Sequence, residues 1–229
     1  MPNWCDNILK VRGPKRSIAK FKAKAHAPKW TQITWDHKLG KDTDLETLKA
    51  IFAGPLEEGE ISVLSFHALR PVPDYLRRLP YSTAREFGER LGLIKKLEGV
   101  CNGLCSHNEC GSYCSEGGTY YWAINNWGCK SEAWEELCWQ ECPNSLEYHF
   151  QTPWCPPLDL FEFVTKEFPL LEFALEYEEF GMEFAGMARF KGGKCFGHLE
   201  WKLEHYYNDD ESEDEDSENE TEMMKEVAV

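Results

Sequence analysis

The chain has 229 residues, 42% of them hydrophobic and 14% aromatic, and a formal net charge of −15. That length holds one ordinary domain or two small ones, and no run approaches the about 20 apolar residues that span a bilayer as a helix. The opening Met1-Pro2-Asn3-Trp4-Cys5 lacks the charged and apolar regions of a secretion signal, so the ten cysteines are expected to be cytoplasmic, as free thiols or metal ligands and not a disulfide frame.

Asn7 to Arg12 alternates and ends on the turn pair Gly13-Pro14, which predicts a first strand. A helix follows from Lys15, with Ile18, Phe21 and Ala25 on one face and lysines on the other, until Ala27-Pro28 stops it. Residues 29–42 are polar and irregular. Thr43-x-x-Glu46 has capping-box spacing, and Leu45, Leu48 and Phe52 follow at helical period up to Gly54-Pro55. Ile61 to Ala68 predicts a strand leading into Pro71-Val72-Pro73. Thr83-x-x-Glu86 is a second capping box, with Phe87, Leu91 and Ile94 on one helical face.

Cys101 to Gly118 breaks the pattern, with four Cys, four Gly and no apolar period. Thr119 to Asn125, rich in Tyr and Trp, predicts a strand. Ser131 predicts a cap for a helix with Ala133, Trp134, Leu137 and Cys138 inward. Leu146 to Gln151 predicts a strand. Pro156-Pro157 opens a helix with Leu158, Phe161, Val164 and Phe168 on one side.

Leu171, Phe173, Leu175 and Tyr177 alternate with Glu172, Glu176 and Glu178, as in a strand with one wet face. Phe184 to Lys191 and Lys194 to Leu203 flank Gly192-Gly193, a hairpin signal. Seven strands and about five helices in mixed order predict an α+β fold, an antiparallel sheet with helices on one face. The expected organisation is one domain over 1–207 with a Cys-rich insertion at about 99–118. Residues 208–229 hold eleven acids, one base and no aromatic, and are expected to form a disordered acidic tail.

A series of short motifs resembles the YubB/Api92-like proteins. It starts with Pro2-Asn3-Trp4-Cys5-x-Asn7 and Gly13, continues with Pro71-x-Pro73, then Asn126-Trp127-Gly128-x-Lys130 and Trp134. It resumes at Thr152-Pro153-Trp154-x-Pro156-Pro157 and Phe168-Pro169, and closes with Leu175-x-Tyr177-x-Glu179-x-Gly181-Met182-x-Phe184-Ala185-Gly186. The resemblance covers residues 1–26 and about 119–200, leaving out the Cys-rich stretch and the acidic tail. It implies a ferredoxin-like core, a setting on phages, plasmids and other mobile elements, and no known enzymatic activity.

Four features invite a functional reading. Cys101, Cys105, Cys110 and Cys114, with His107 among them, offer four thiolates within fourteen residues, enough for a structural zinc, although the spacing is not the usual C-x2-C. Asn126 and Trp127, with Trp4 and Trp154, supply amides and ring faces that suit a planar ligand or a turn and a core. Glu179, in the run Glu178 to Glu183, suits acid–base work or the polar tip of a connection. A Cys/His nucleophile can be drawn from Cys5 or Cys129 with His149 or His198, but no local signature fixes a pair, and phosphate-binding glycine motifs are absent.

Charge is unevenly spread. Residues 1–41 carry ten Lys/Arg against two acids, so the N-terminal part is +8, while 42–207 is −13 and the tail −10. Lys20, Lys22 and Lys24 could hold an anion or the acidic tail. The glutamates of the best alternating strand would repel a phosphate backbone, which disfavours direct nucleic-acid binding. The expected function is a non-enzymatic acidic module that binds a basic or nucleic-acid-handling protein, with charge that imitates nucleic acid. A zinc-stabilised nucleic-acid-binding protein and a Cys/His metal-dependent hydrolase are the alternatives.

Overall fold

The computed structural model describes residues 3–30, 43–54, 56, 58–78, 90–92 and 119–203. A six-stranded antiparallel sheet organises them. Its strands are β1 (Trp4–Arg12), β4 (Trp134–Cys142), β5 (Ser145–Pro153), β6 (Glu172–Glu179), β7 (Phe184–Lys191) and β8 (Lys194–Lys202), in the order β4-β5-β1-β6-β7-β8. With α1 (Lys15–Ala25) after β1 and α6 (Leu158–Glu167) after β5, the chain runs β1-α1-β4-β5-α6-β6, and β7-β8 is a hairpin added beside β6. This is the expected ferredoxin-like α+β core.

Alternation selects the buried face. In register, Leu9 sits between Tyr148 and Leu175, and Val11 between Leu146 and Phe173, all buried. Both helices cover this face, α1 with Ile18, Phe21 and Ala25, and α6 with Leu160, Phe161 and Val164. Phe21 makes edge-on contacts with Phe173 at 5.1 Å, Phe168 at 5.5 Å and Tyr148 at 6.3 Å between ring centroids. Each such pair adds about 0.5–1.5 kcal/mol beyond area burial.

Between α1 and β4 the chain leaves the core. The described parts are the short pair β2 (Ala27–Trp30) and β3 (Glu58–Ser62), and the helices α2 (Leu45–Ala53), α3 (Phe66–Leu69), α4 (Asp74–Arg77) and α5 (Thr119–Trp127). Phe66, fully buried, ties this excursion to the core: its ring packs edge-on against Trp127 of α5, Phe150 of β5 and Phe161 of α6. Glu132 holds α3 from outside, accepting Phe66 N at 2.7 Å and His67 N at 2.9 Å.

Several local expectations are overturned. Thr119–Trp127 is a helix, not a strand, with Trp122, Ala123, Asn126 and Trp127 on its buried side. Gly128, at φ 85°, stops it by donating its N–H to Ile124 O. Trp134–Cys142 is a strand, not a helix, with irregularities between Trp134 and Leu137 and between Cys138 and Gln140. β3 ends at Ser62, and Ser65 caps a helical turn where a strand through Ala68 was expected. The cap of α2 is Asp44, whose Oδ1 accepts Thr47 N, one position after the expected Thr43. β2 begins at the Ala27-Pro28 stop and runs to Trp30, into residues read as polar and irregular. The helix over 83–94 and the tail fall on residues outside those described, or largely so.

Candidate functional site: the open face of the sheet

The motifs that carry the family resemblance meet at one end of the sheet, where they brace each other. Asn7, buried, donates to Cys5 O at 2.8 Å and to Thr152 Oγ1 at 2.9 Å, and Thr152 donates to Cys155 O at 2.8 Å. Trp154, at φ 73°, donates its N–H to Asn3 O, while Lys130 lies over its ring at 5.7 Å. Glu179 is buried and accepts the N–H groups of Gly181 and Met182, so it pins the β6-β7 connection. A Cβ at Gly181 would fall 2.1 Å from Asn3 Nδ2.

The other candidate residues are dispersed. Trp127 is fully buried against Phe66 and Trp122 and donates Nε1–H to Arg70 O. Asn126 is buried and donates to Trp122 O. Lys22 is ion-paired with Glu141 and Lys24 with Glu167, whereas Lys20 is exposed on α1. Trp4 meets Trp134 at 5.6 Å on the face away from the helices. Cys101, Cys105, Cys110 and Cys114 lie outside the described residues, among which no cluster of three or more His, Cys, Asp or Glu is placed to hold a metal.

Among the described residues, no hydrogen bond joins Cys5 or Cys129 to His149 or His198. Burial pushes both thiols up, which opposes the thiolate a nucleophile needs. His198 is instead 2.7 Å from the hydroxyl of Tyr177, which also donates to Glu200 at 3.2 Å. Burial, with Glu200 next in effect, raises that phenol.

The helices leave the other face of the sheet uncovered by any described residue of theirs, and the strand register sorts it into four rows. The first runs Trp134, Gln151, Asp6, Glu178, Ala185, Trp201 across β4, β5, β1, β6, β7 and β8. The second runs Leu137, His149, Ile8, Glu176, Met187, Leu199. The third brings Glu147, Lys10, Ala174 and Arg189 into line, and the fourth Ser145, Arg12, Glu172, Lys191 and Lys194.

Large apolar groups stand in water here: Trp134 is 54% exposed, Leu199 65% and Trp201 47%. Trp139, at the β4 irregularity, stacks on His149 at 5.2 Å. A hollow of about 340 Å³ opens over the first two rows, lined by Asp6, Glu176 and Glu178 together with Ile8, Met187 and Trp201. Gln151 donates to Asp6, and Lys10 pairs with Glu176 from the third row, both at 2.8 Å. The rows combine carboxylates with an apolar floor, a surface that suits the aliphatic stem and charged head of a lysine or arginine.

Residues 125–226 match the family described as the ferredoxin-like domain in Api92-like protein. That part of the chain is Api92-like. The match supplies five strands of the sheet and extends through the acidic stretch that the motif series omits, while a sixth strand between β5 and β6 comes from residues 4–12, outside the matched range. The crystal structure of a protein api92 from Yersinia pseudotuberculosis is 12% identical, with 90% of this chain and 100% of that one covered and a TM-score of 0.47. No curated protein matches the chain. Among the described residues no helix is long and apolar enough to cross a membrane.

Sequence reasoning did not find the open face. Only the β6 part, with Glu172, Glu176 and Glu178, was legible. The aromatic part lies on β4, misread as a helix, and on β8, whose nine residues are all exposed and give no burial pattern.

Proposed function

We propose that the chain is a non-enzymatic acidic interaction module that binds a basic, nucleic-acid-handling protein through the first two rows of its open face. One observation carries this reading: Asp6, Glu176 and Glu178 converge on a hollow walled by Ile8, Met187 and Trp201, and those rows contain no Lys or Arg. Carboxylates at strand spacing present regularly spaced negative charge, which steers a basic partner and competes with a phosphate backbone for it. Exposed tryptophans supply the apolar anchors that interfaces favour. The mobile-element setting is carried over from the family resemblance, and the partner is then a protein of the bacterial host or of the element.

The test is affinity capture from a bacterial host with the full chain and with the Asp6→Lys, Glu178→Lys variant. A defined basic protein is expected with the first and not with the second. Equal recovery by both, or background alone, overturns the reading. The spacing of Cys101 to Cys114 supports a structural zinc in the same module; elemental analysis should find about one zinc per chain, and metal-free protein with unchanged stability removes it.

A further inference from the structure

We infer that the open face is self-complementary and pairs face to face with a second copy of the chain. The four rows divide by charge. The first two hold Asp6, Glu176 and Glu178 and no cation. The last two hold Lys10, Arg12, Arg189, Lys191 and Lys194 against Glu147 and Glu172. A two-fold axis between two such sheets, lying across the strands, turns the first row onto the fourth and the second onto the third. It sets Asp6 over Arg12 of the other copy, Glu176 over Ala174 and within one strand of Lys10 and Arg189, and Glu178 over Glu172 with Arg12 and Lys191 one strand to either side. Such an interface uses one patch on both copies, the commonest form of closed assembly.

The apolar content and the area agree with this occupant. Trp134, Leu199 and Trp201, each about half or more exposed, lie in the first two rows, which the pairing covers. Six strands about 4.8 Å apart and four rows of alternate residues give a face of roughly 700 Å² per copy, near the about 800 Å² a side of an ordinary stable complex. The net charge of −15 opposes approach, but in physiological salt that repulsion fades within about 8 Å, beyond the reach of the contact pairs. The pairing is independent of the basic partner proposed above, which would have to displace the second copy to reach Asp6 and Glu178.

Sedimentation of the purified full chain in physiological salt tests the pairing without any partner. The native chain is expected to shift from monomer to dimer as concentration rises. Asp6→Lys with Glu178→Lys makes both halves basic, and Arg12→Glu with Lys191→Glu makes both acidic; each variant alone is expected to stay monomeric. Their equimolar mixture is expected to restore the dimer, which also shows that both variants fold. A native chain that is monomeric throughout, a dimer that persists in either variant, or a mixture that stays monomeric overturns the inference. Any of these leaves the capture experiment to be judged by its own result.

Discussion

Glu132 and His67 are adjacent in space and respond to pH in opposite senses. Burial pushes the Glu132 carboxyl up to about 7 from an ordinary 4.5, against the pull of the His67 and Phe66 N–H groups. A folded state that holds its proton more tightly than the unfolded chain loses stability as pH rises through that window. His67 is the reverse: burial first, then Arg77, lowers its ring to about 4 from 6.5, and neutral Nδ1 accepts Val72 N at 3.0 Å. Its contribution is lost as pH falls from 6.5 through about 4. Glu132→Gln should remove the first slope and leave the second, so that urea midpoints rise with pH up to 6.5; an unchanged profile refutes the assignment. Glu132→Ala leaves two buried N–H groups unpaired and should cost about 2–4 kcal/mol. Gly186 is a second point of tight fit, because a Cβ there would lie 2.4 Å from the Tyr177 hydroxyl and 2.7 Å from Leu199 O. Gly186→Ala should therefore destabilise by about 1–3 kcal/mol, measured by thermal unfolding.

At the scale of elements, legibility followed unbroken period. β6 and the β7-β8 hairpin were readable because Leu171 to Tyr177 alternate without interruption and Gly192-Gly193 supplies both positive-φ positions of the turn. β4 was not. Its two irregularities convert a period of two into spacings of three and four between Trp134, Leu137 and Cys138, which is what a helix face looks like. α5 failed for the opposite reason. Tyr and Trp favour strands by propensity, but Trp122, Asn126 and Trp127 at helical spacing fill the core around Phe66, and packing overrides propensity. The spacing of those residues and Gly128 after them was the available signal. The candidate site suffered more, since an open face offers no burial pattern to read and half of its tryptophans, Trp134 and Trp139, sit on β4. Phe66 joins α3, α5, α6 and β5, so Phe66→Ala should cost about 3–5 kcal/mol, seen as a lowered denaturant midpoint. A loss under 1 kcal/mol would mean that the excursion is not a part of the core.

Across the whole molecule, two charged regions lie apart, the cations of α1 and the carboxylates around the hollow of the open face. On α1, Lys22 and Lys24 are paired with Glu141 and Glu167, while Lys15, Arg16 and Lys20 have no carboxylate partner among the described residues. They are the cations left for the eleven acids of residues 208–229. Removing 208–229 should raise the affinity of the chain for heparin or another polyanion at low salt, and the difference should vanish as salt shortens the electrostatic range. Equal affinity at low salt would show that the tail does not screen α1. Asp6, Glu176 and Glu178 lie apart from α1, on the open face of the sheet, so the two effects separate: tail removal changes polyanion binding, and charge reversal at Asp6 and Glu178 changes protein capture.

The middle position of β1 has a consequence for how the molecule comes into being. β1 finds its neighbours late, because Asn7 bonds Thr152, 145 residues later, and Lys10 meets Glu176, 166 residues later. During synthesis at the ribosome, β1 and α1 must wait, without partners, until β5 and β6 have emerged. Contacts of such range slow folding, and a nascent chain in this state exposes Leu9, Val11 and Phe21 to whatever chaperone is at hand.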